Sequence, residues 1–313
     1  MASSSQPRPV AVVIGASRGI GRQVAIDLAS EGYRVVVAAK STSDASKVSP
    51  FPPDPNSSES TINTVQREIQ EAGKESLAIE VDTRSPESIE RLFQKTYDAY
   101  KRLDVLIYNS GAIWWAPVDR TPLKRFQLLQ SVNMEGLYSA VQTSLPLFEK
   151  NGWNGRIIVV SPPIYSRFFK GKTAYAVGKV GMSVLTKGLA VDWKRQGKNN
   201  MAITSIWPAT AIISAATPDS RLLPDLRKPT IFSDAILEIL KSPAQSVSGS
   251  LVLDEDFLRE RGMQDFSKYS VVPGSSPQRI MPASFPTLAV AEEDDEGLPA
   301  SSVGEITQRD SRI

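Results

Sequence analysis

The 313-residue chain contains neither cysteine nor histidine. Without a thiol there is no disulfide framework, no cysteine nucleophile and no cysteine-based metal site. Without imidazole there is no Ser-His-Asp triad, no HExxH zinc site and no histidine acid or base. No metal is therefore expected, and any proton transfer falls to Tyr, Lys, Asp, Glu or a hydroxyl with a shifted pKa. An excess of one charge is missing too: 36 Lys+Arg against 34 Asp+Glu leave a net +2, which offers no electrostatic footprint for nucleic acid. No apolar run resembles a signal peptide or reaches bilayer-spanning length, so the sequence predicts a soluble, intracellular protein.

What is present is an ordinary globular composition, 41% hydrophobic and 22% charged, able to bury a sizeable core. From Val10 the chain reads VAVVI, too apolar to alternate and suited to a strand covered on both faces. Glycines follow, and then Ile20, Val24 and Leu28 lie four apart on one helical face before Gly32. Further apolar runs at 33–39, 76–81, 103–108, 156–160, 202–207 and 250–253 alternate with helical segments, the strongest at 86–101 and 174–195. The alternation predicts an α/β fold, a doubly wound parallel sheet of the Rossmann type with about seven strands, in a single domain spanning 10–272. Residues 1–9 read as a flexible N-terminus. Residues 41–60 hold seven Ser and four Pro and predict an exposed, mobile insertion. Beyond Pro273 the chain turns to Pro, Ser and acid, including EEDDE at 292–296, which predicts a disordered tail over 273–313.

Gly15-Ala16-Ser17-Arg18-Gly19-Ile20-Gly21 falls between the first strand and the first helix. Missing side chains there let the backbone approach a pyrophosphate, and the helix N-terminus supplies partial positive charge. The second strand ends in Ala38-Ala39-Lys40-Ser41, without the acid that holds an NAD ribose. Lys40, with Arg18 beside it, suits a 2′-phosphate instead, so the reading favours NADP(H) over NAD(H). Asp82, closing the third strand, is placed to accept from an adenine amino group or to serve as turn chemistry.

Tyr175 and Lys179 stand four apart and share one helical face. A nearby ammonium favours phenolate and makes a tyrosine usable as a base, and Lys179 is also placed to hydrogen-bond the nicotinamide ribose. Ser161 ends the fifth strand, on the edge where open α/β sheets bind ligands, and could polarise a substrate carbonyl. Asn133 is the fourth member, expected to hold a water that links Lys179 to solvent.

These motifs, with the Asn109-Ser110-Gly111 segment, occur in the order of the short-chain dehydrogenase/reductases, which the chain resembles over about residues 10–258. The resemblance implies a Rossmann-type fold and NAD(P)-dependent carbonyl/alcohol interconversion in a homodimer or homotetramer. It implies catalytic Tyr175, Lys179, Ser161 and Asn133. It further implies cofactor contacts from Gly15, Ser17, Arg18, Gly19, Ile20, Gly21, Lys40, Ser41, Asp82, Asn109, Tyr175, Lys179, Pro208 and Ile212. Residues 161–183, 206–212 and 251–269 are similar to the hydroxysteroid dehydrogenase-like protein 2 branch. That branch is associated with peroxisomes or mitochondria and with lipid metabolism, and many of its members carry a sterol-carrier domain for which this length leaves no room. Several positions depart from the family pattern. Tyr108 replaces an Asn, Ser110 an Ala, and Ala209 the Gly of Pro-Gly, while Ser161 is one residue further from Tyr175 than usual, with Pro162 at the usual spacing.

Trp114, Trp115, Tyr165, Phe168 and Phe169 are candidates to line a pocket for a bulky or lipid-like substrate, contacted as well by the region around 212–232. Ser311-Arg312-Ile313 resembles the Ser-Lys-Leu address, which predicts peroxisomal import through its receptor, with cytoplasm as the alternative. Two other readings remain open: a tailoring reductase of a secondary-metabolite pathway, and a non-catalytic NADPH-binding sensor or interaction protein.

Overall fold

The computed structural model describes residues 8–288 except 216 and 218. The strands are β1 (Val10–Ile14), β2 (Arg34–Ala39), β3 (Ser76–Glu80), β4 (Val105–Tyr108), β5 (Gly155–Val160), β6 (Met201–Trp207) and β7 (Leu251–Leu253). They form one parallel sheet in the order β3-β2-β1-β4-β5-β6-β7, the doubly wound fold that the alternation predicts. The order reverses between β1 and β4, so a crevice opens at the strand ends there, where such sheets bind ligands.

Helices cover both faces. Ala11 and Val13 pack with α1 (Gly19–Ser30) and α7 (Thr230–Lys241) on one side. Val12 and Ile14 pack on the other with α3 (Pro86–Tyr100), α5 (Gly136–Lys150) and α6 (Thr173–Arg195). Successive strand side chains thus enter opposite layers, which explains why β1 is apolar at all five positions. Each such Val or Ile contributes roughly 1.5–3 kcal/mol by burial. α2 (Ile62–Glu71) starts at a capping box between Thr61 and Thr64, and α3 at Ser85 followed by Pro86. The shorter α4 (Leu123–Gln130), α8 (Ala244–Val247) and α9 (Asp254–Glu260) complete the described helices.

Two regions differ from expectation. Residues 41–60 are tied down rather than loose: Ser43 N–H donates to Asn63 Oδ1 at 3.0 Å, the Arg67 guanidinium lies 3.8 Å over the Phe51 ring, and Ser60 is fully buried. Many of these residues are exposed, as the composition predicts, but several side chains and the Pro55 carbonyl find partners on α2 and the glycine turn. The tail does not start at 273. Ile280 and Met281 N–H both donate to Ala209 O, at 2.9 and 3.1 Å, and Arg279 pairs with Asp256, so apolar Met281 is buried despite its Pro/Ser-rich surroundings. At the other end Pro9 O accepts from Arg34 N–H at 2.9 Å. The remaining calls on residues 1–7 and 289–313, including Ser311-Arg312-Ile313, lie outside the described residues.

Candidate active site

The glycine turn leaves β1 in a conformation that only glycine fits. Gly15 has φ +87°, and a methyl there would stand 2.6 Å from Ser110 N; one on Gly21 would stand 2.2 Å from Gly15 O. Asn109 locks the turn from β4, with Nδ2 donating to Gly15 O at 2.9 Å. At the start of α1 the Ile20 and Gly21 N–H groups have no acceptor among the described residues, leaving helix N-terminal donors for an anion. Arg18 donates to Ser41 Oγ at 3.2 Å, which draws both residues to the end of β2. Ser17 is nearly buried beneath the turn.

Beyond β2, a cavity of about 230 Å³ is lined by Lys40, Asp82, Thr83, Arg84 and Ser110 among others. Its size and polar rim suit an adenine-like ring. Arg84 grips Asp82 through both carboxylate oxygens and, with Lys40 at 3.3 Å, holds that carboxyl well below the ordinary carboxylate range. Lys40 thus remains at the rim but neutralises an acid as well, a pairing that the sequence spacing did not indicate.

Tyr175 and Lys179 are each only 3% exposed, one turn apart on α6 at the crevice. Burial raises the Tyr175 phenol and pushes the Lys179 ammonium down to about 7. Lys179 Nζ donates to Val160 O at 2.8 Å, so in this state desolvation, not the neighbouring cation, governs the tyrosine. Asn133 is fully buried in a π-helical turn at 131–135, between α4 and α5. Its Oδ1 accepts from Ala112 N–H at 2.8 Å and its Nδ2 donates to Ala112 O at 3.2 Å. The Asn133 and Lys179 side chains converge on Gly111, where a methyl would meet Asn133 Oδ1 and Lys179 Nζ at 3.4 Å each. Tyr108, in place of the usual Asn, fastens the π turn to β4 by donating to Val132 O at 2.5 Å. Gly136 makes the room, since a methyl there would lie 2.4 Å from the Tyr108 hydroxyl.

Ser161 is fully buried, and its Oγ is 2.9 Å from both Ser205 Oγ and Ser183 Oγ. Its hydroxyl therefore belongs to a three-serine network between β5, β6 and α6, with Ser183 also donating to Pro162 O at 2.7 Å.

Past β6, Pro208 opens a loop whose course is set from outside. Ala209 N–H donates to Asp254 Oδ1 at 2.8 Å, and Arg227 pairs with the loop on both sides of Ile212, from N–H to Ala211 O at 2.8 Å and from O to Ile213 N–H at 2.9 Å. Asp254 is 1% exposed, and burial raises its carboxyl to about 7. Neither Asp254 nor the 279–281 segment was picked out from the sequence. The only signal was an acid directly after a strand, which reads equally well as a helix start. An aromatic wall faces Tyr175. Phe168 lies 6.2 Å and Trp115 6.5 Å from its ring, Trp207 backs Phe168, and Phe285 closes on Tyr165 at 5.2 Å. Trp115 is 64% exposed, at the mouth. Trp114 packs against the same cluster, with Arg125 4.9 Å over its ring, and Phe169 is exposed.

A dinucleotide fits these residues: a cradle that a Cβ would fill, free helix N-terminal donors, a ring-sized cavity beyond β2, and a buried Tyr/Lys pair at the far end. A family model described as enoyl-(acyl carrier protein) reductase matches residues 15–235. Hydroxysteroid dehydrogenase-like protein 2 of Danio rerio is 35% identical over 267 residues, 84% of this chain and 60% of the relative, so the chain spans well under the full length of that relative. A short chain dehydrogenase from Mycobacterium thermoresistibile is 30% identical with a TM-score of 0.75, covering 87% of this chain and 93% of that one. The structure of a 7α-hydroxysteroid dehydrogenase complexed with NADH and 7-oxo glycochenodeoxycholic acid is 26% identical with a TM-score of 0.63, over 78% and 92%. Sequence similarity that runs from the glycine turn through the Tyr175 helix, on a sheet of the same winding, establishes that the chain belongs to the short-chain dehydrogenase/reductase family.

Proposed function

We propose that the protein is an NADP(H)-dependent oxidoreductase that interconverts a carbonyl and a secondary alcohol on a bulky, apolar or lipid-like substrate. The observation that carries this reading is the Tyr175/Lys179 pair, buried together at the crevice with no carboxylate bonded to either. When bound, the nicotinamide supplies hydride to the carbonyl carbon or takes it from the alcohol. Tyr175 gives the proton to the carbonyl oxygen in reduction and takes it back in oxidation. A protonated Lys179 favours the phenolate that Tyr175 leaves behind and donates to the ribose, and Asn133 supports proton resupply through its fixed place beside Gly111. Arg18 and Lys40 support the 2′-phosphate assignment, since β2 ends without an acid. Phe168, Trp207, Tyr165 and Phe285 favour a large apolar substrate. Ser161 enters as a hydroxyl already bonded to two others, so the substrate oxygen relies chiefly on Tyr175.

That same serine network is the one feature that favours a second reading, a non-catalytic NADPH-binding protein. Loss of NADPH absorbance across bulky ketones, 3-ketoacyl thioesters and quinones separates the two. Tyr175→Phe is expected to lower turnover by about 10³-fold while leaving the NADPH dissociation constant within about twofold. Full activity in that variant would sink the catalytic assignment, and NADPH binding without turnover in the unaltered chain would favour the second reading.

For the assembly we propose a homodimer or homotetramer. A groove between α5 and α6 exposes Tyr138 and Val184 above Val141, Leu145 and Leu185, and a second copy of this face would cover it. For location we propose the peroxisome, on the resemblance to the hydroxysteroid dehydrogenase-like protein 2 branch, with cytoplasm as the alternative. Imaging of the tagged chain beside a peroxisomal marker tests it, and a diffuse signal would favour the cytoplasm. No helix among the described residues is long and apolar enough to cross a membrane.

A further inference from the structure

The connection from β2 to α2 is long, and long connections without regular structure are usually functional or disordered. This one is built. On one side it is fixed to α2, with Arg67 donating to Ala45 O at 2.9 Å and Ser43 Oγ 2.7 Å from Thr61 Oγ1. On the other it lies against the glycine turn. Ser60 Oγ donates to Ser17 O at 2.7 Å, and Pro55 O accepts from Gly19 N–H at 2.9 Å. Asp54 closes the turn between these contacts by accepting from Asn56 N–H at 2.7 Å.

The result is a polar side chain placed over the turn. Asn56 Oδ1 is buried without a hydrogen-bond partner among the described residues, and it lies 3.5 Å from where a Gly19 methyl would stand. The Ser214 side chain approaches that point to 3.5 Å from the opposite loop. Between the two runs a cavity of about 460 Å³, lined by Asp54, Asn56 and Ser57 on one side and Ile213, Ser214 and Thr217 on the other. The unbonded N–H groups of Ile20 and Gly21 begin α1 next to the same turn. Two carboxylates also border the cavity, but Asp54 is engaged by Asn56 N–H and Asp219 by Arg221 at 2.7 Å. An acceptor buried without a partner is an unmet hydrogen-bonding demand, and a half-turn about Cβ–Cγ puts Nδ2 in its place as a donor to an anion.

We propose that residues 54–57 are a strap across the cofactor's diphosphate and that Asn56 is one of its ligands, gripping it from beside the N-terminus of α1. The proposal rests on reading the cleft as an NAD(P)(H) site. Pro55 holds the strap to Gly19 between binding events, and Asn56 adds a contact to the diphosphate that the glycine turn alone does not make.

The test is equilibrium fluorescence titration of the full chain with NADPH and, separately, with adenosine 2′-monophosphate, which lacks the diphosphate. Asn56→Ala is expected to raise the NADPH dissociation constant about tenfold, the scale of one hydrogen bond to a charged group. Asn56→Asp, which puts a negative charge there, is expected to raise it further. Stopped-flow displacement should show most of the change in faster release, while the affinity for adenosine 2′-monophosphate and the cofactor-free melting temperature stay as in the unaltered chain. NADPH affinity unchanged in both variants overturns the proposal. Equal weakening toward both nucleotides overturns it as well, because the strap would then shape the turn and not touch the diphosphate. If the unaltered chain binds neither NADPH nor NADH, the cofactor reading itself falls.

Discussion

At the cofactor end of the cleft the critical distances are backbone distances. Gly21 is packed against Gly15 O, Gly15 against Ser110 N, and Asn109 bonds the turn from the next strand. At the substrate end they are side-chain distances between pieces far apart in sequence: Phe168, Trp207, the Asp254-anchored loop and Phe285. A backbone cradle accepts no added atom, whereas a wall of apolar side chains accepts exchange with graded cost. The contrast teaches how one chain can hold a rigid backbone cradle beside an adaptable wall.

The comparison is most sharply tested by adding one methyl group. Gly21→Ala is expected to remove detectable NADPH binding and to cost roughly 3 kcal/mol or more, because the methyl enters Gly15 O; calorimetric titration and thermal melts check it. Wild-type affinity there would break the distinction.

A smaller effect is expected where the two ends meet. The ordinary aspartate value is about 3.9, and burial raises Asp254 to about 7. Between these values the native state keeps a proton that the unfolded chain releases. The stabilisation from Asp254 is therefore fully present below about pH 4 and is lost as pH rises through about 7. Asp254→Asn, which stays neutral, should improve relative to the unaltered chain by at least about 1 kcal/mol between about pH 5 and pH 8. Parallel denaturant titrations measure it, and a pH-independent difference would mean that the carboxyl is ionised throughout.

Ser161→Ala should cost only about 1 kcal/mol, because Ser183 and Ser205 keep their bonds to Pro162 O and to the Ser161 backbone O, with turnover falling less than about tenfold. A loss near a hundredfold would instead show that this hydroxyl reaches the substrate. Smallest of all, Phe285→Ala is expected to raise KM for bulky ketones by roughly threefold to tenfold, from lost apolar contact, with kcat nearly unchanged.

The sheet and the cofactor end were legible because their signals are local. Apolar runs mark strands, and glycines between a strand and a helix mark the turn. The Tyr175/Lys179 spacing survives folding because helical geometry guarantees it. What was not legible depends on distant partners. Asp254 reads as a helix start until Ala209 N–H is placed on it. Met281 and Phe285 sit in a stretch whose composition indicates disorder, yet Ala209 O and Tyr165 capture them. Serine and proline counts place the 41–60 segment at the surface, but they cannot reveal that a carbonyl such as Pro55 O meets Gly19. The π turn that buries Asn133 has no sequence signature beyond the pairing of Tyr108 with Gly136.

The parallel sheet also imposes a timetable on synthesis. Val10 N–H waits for Asp104 Oδ2, 94 residues later, and Gly15 O waits equally long for Asn109. No strand of this sheet pairs with a neighbour by a hairpin, so early pairing cannot be local and loop closure must precede it. A ribosome-bound chain therefore carries the glycine turn for most of its first hundred residues without the strand that locks it. The turn can be locked only after β4 has emerged, and the aromatic wall closes only once Phe285 is free of the exit tunnel.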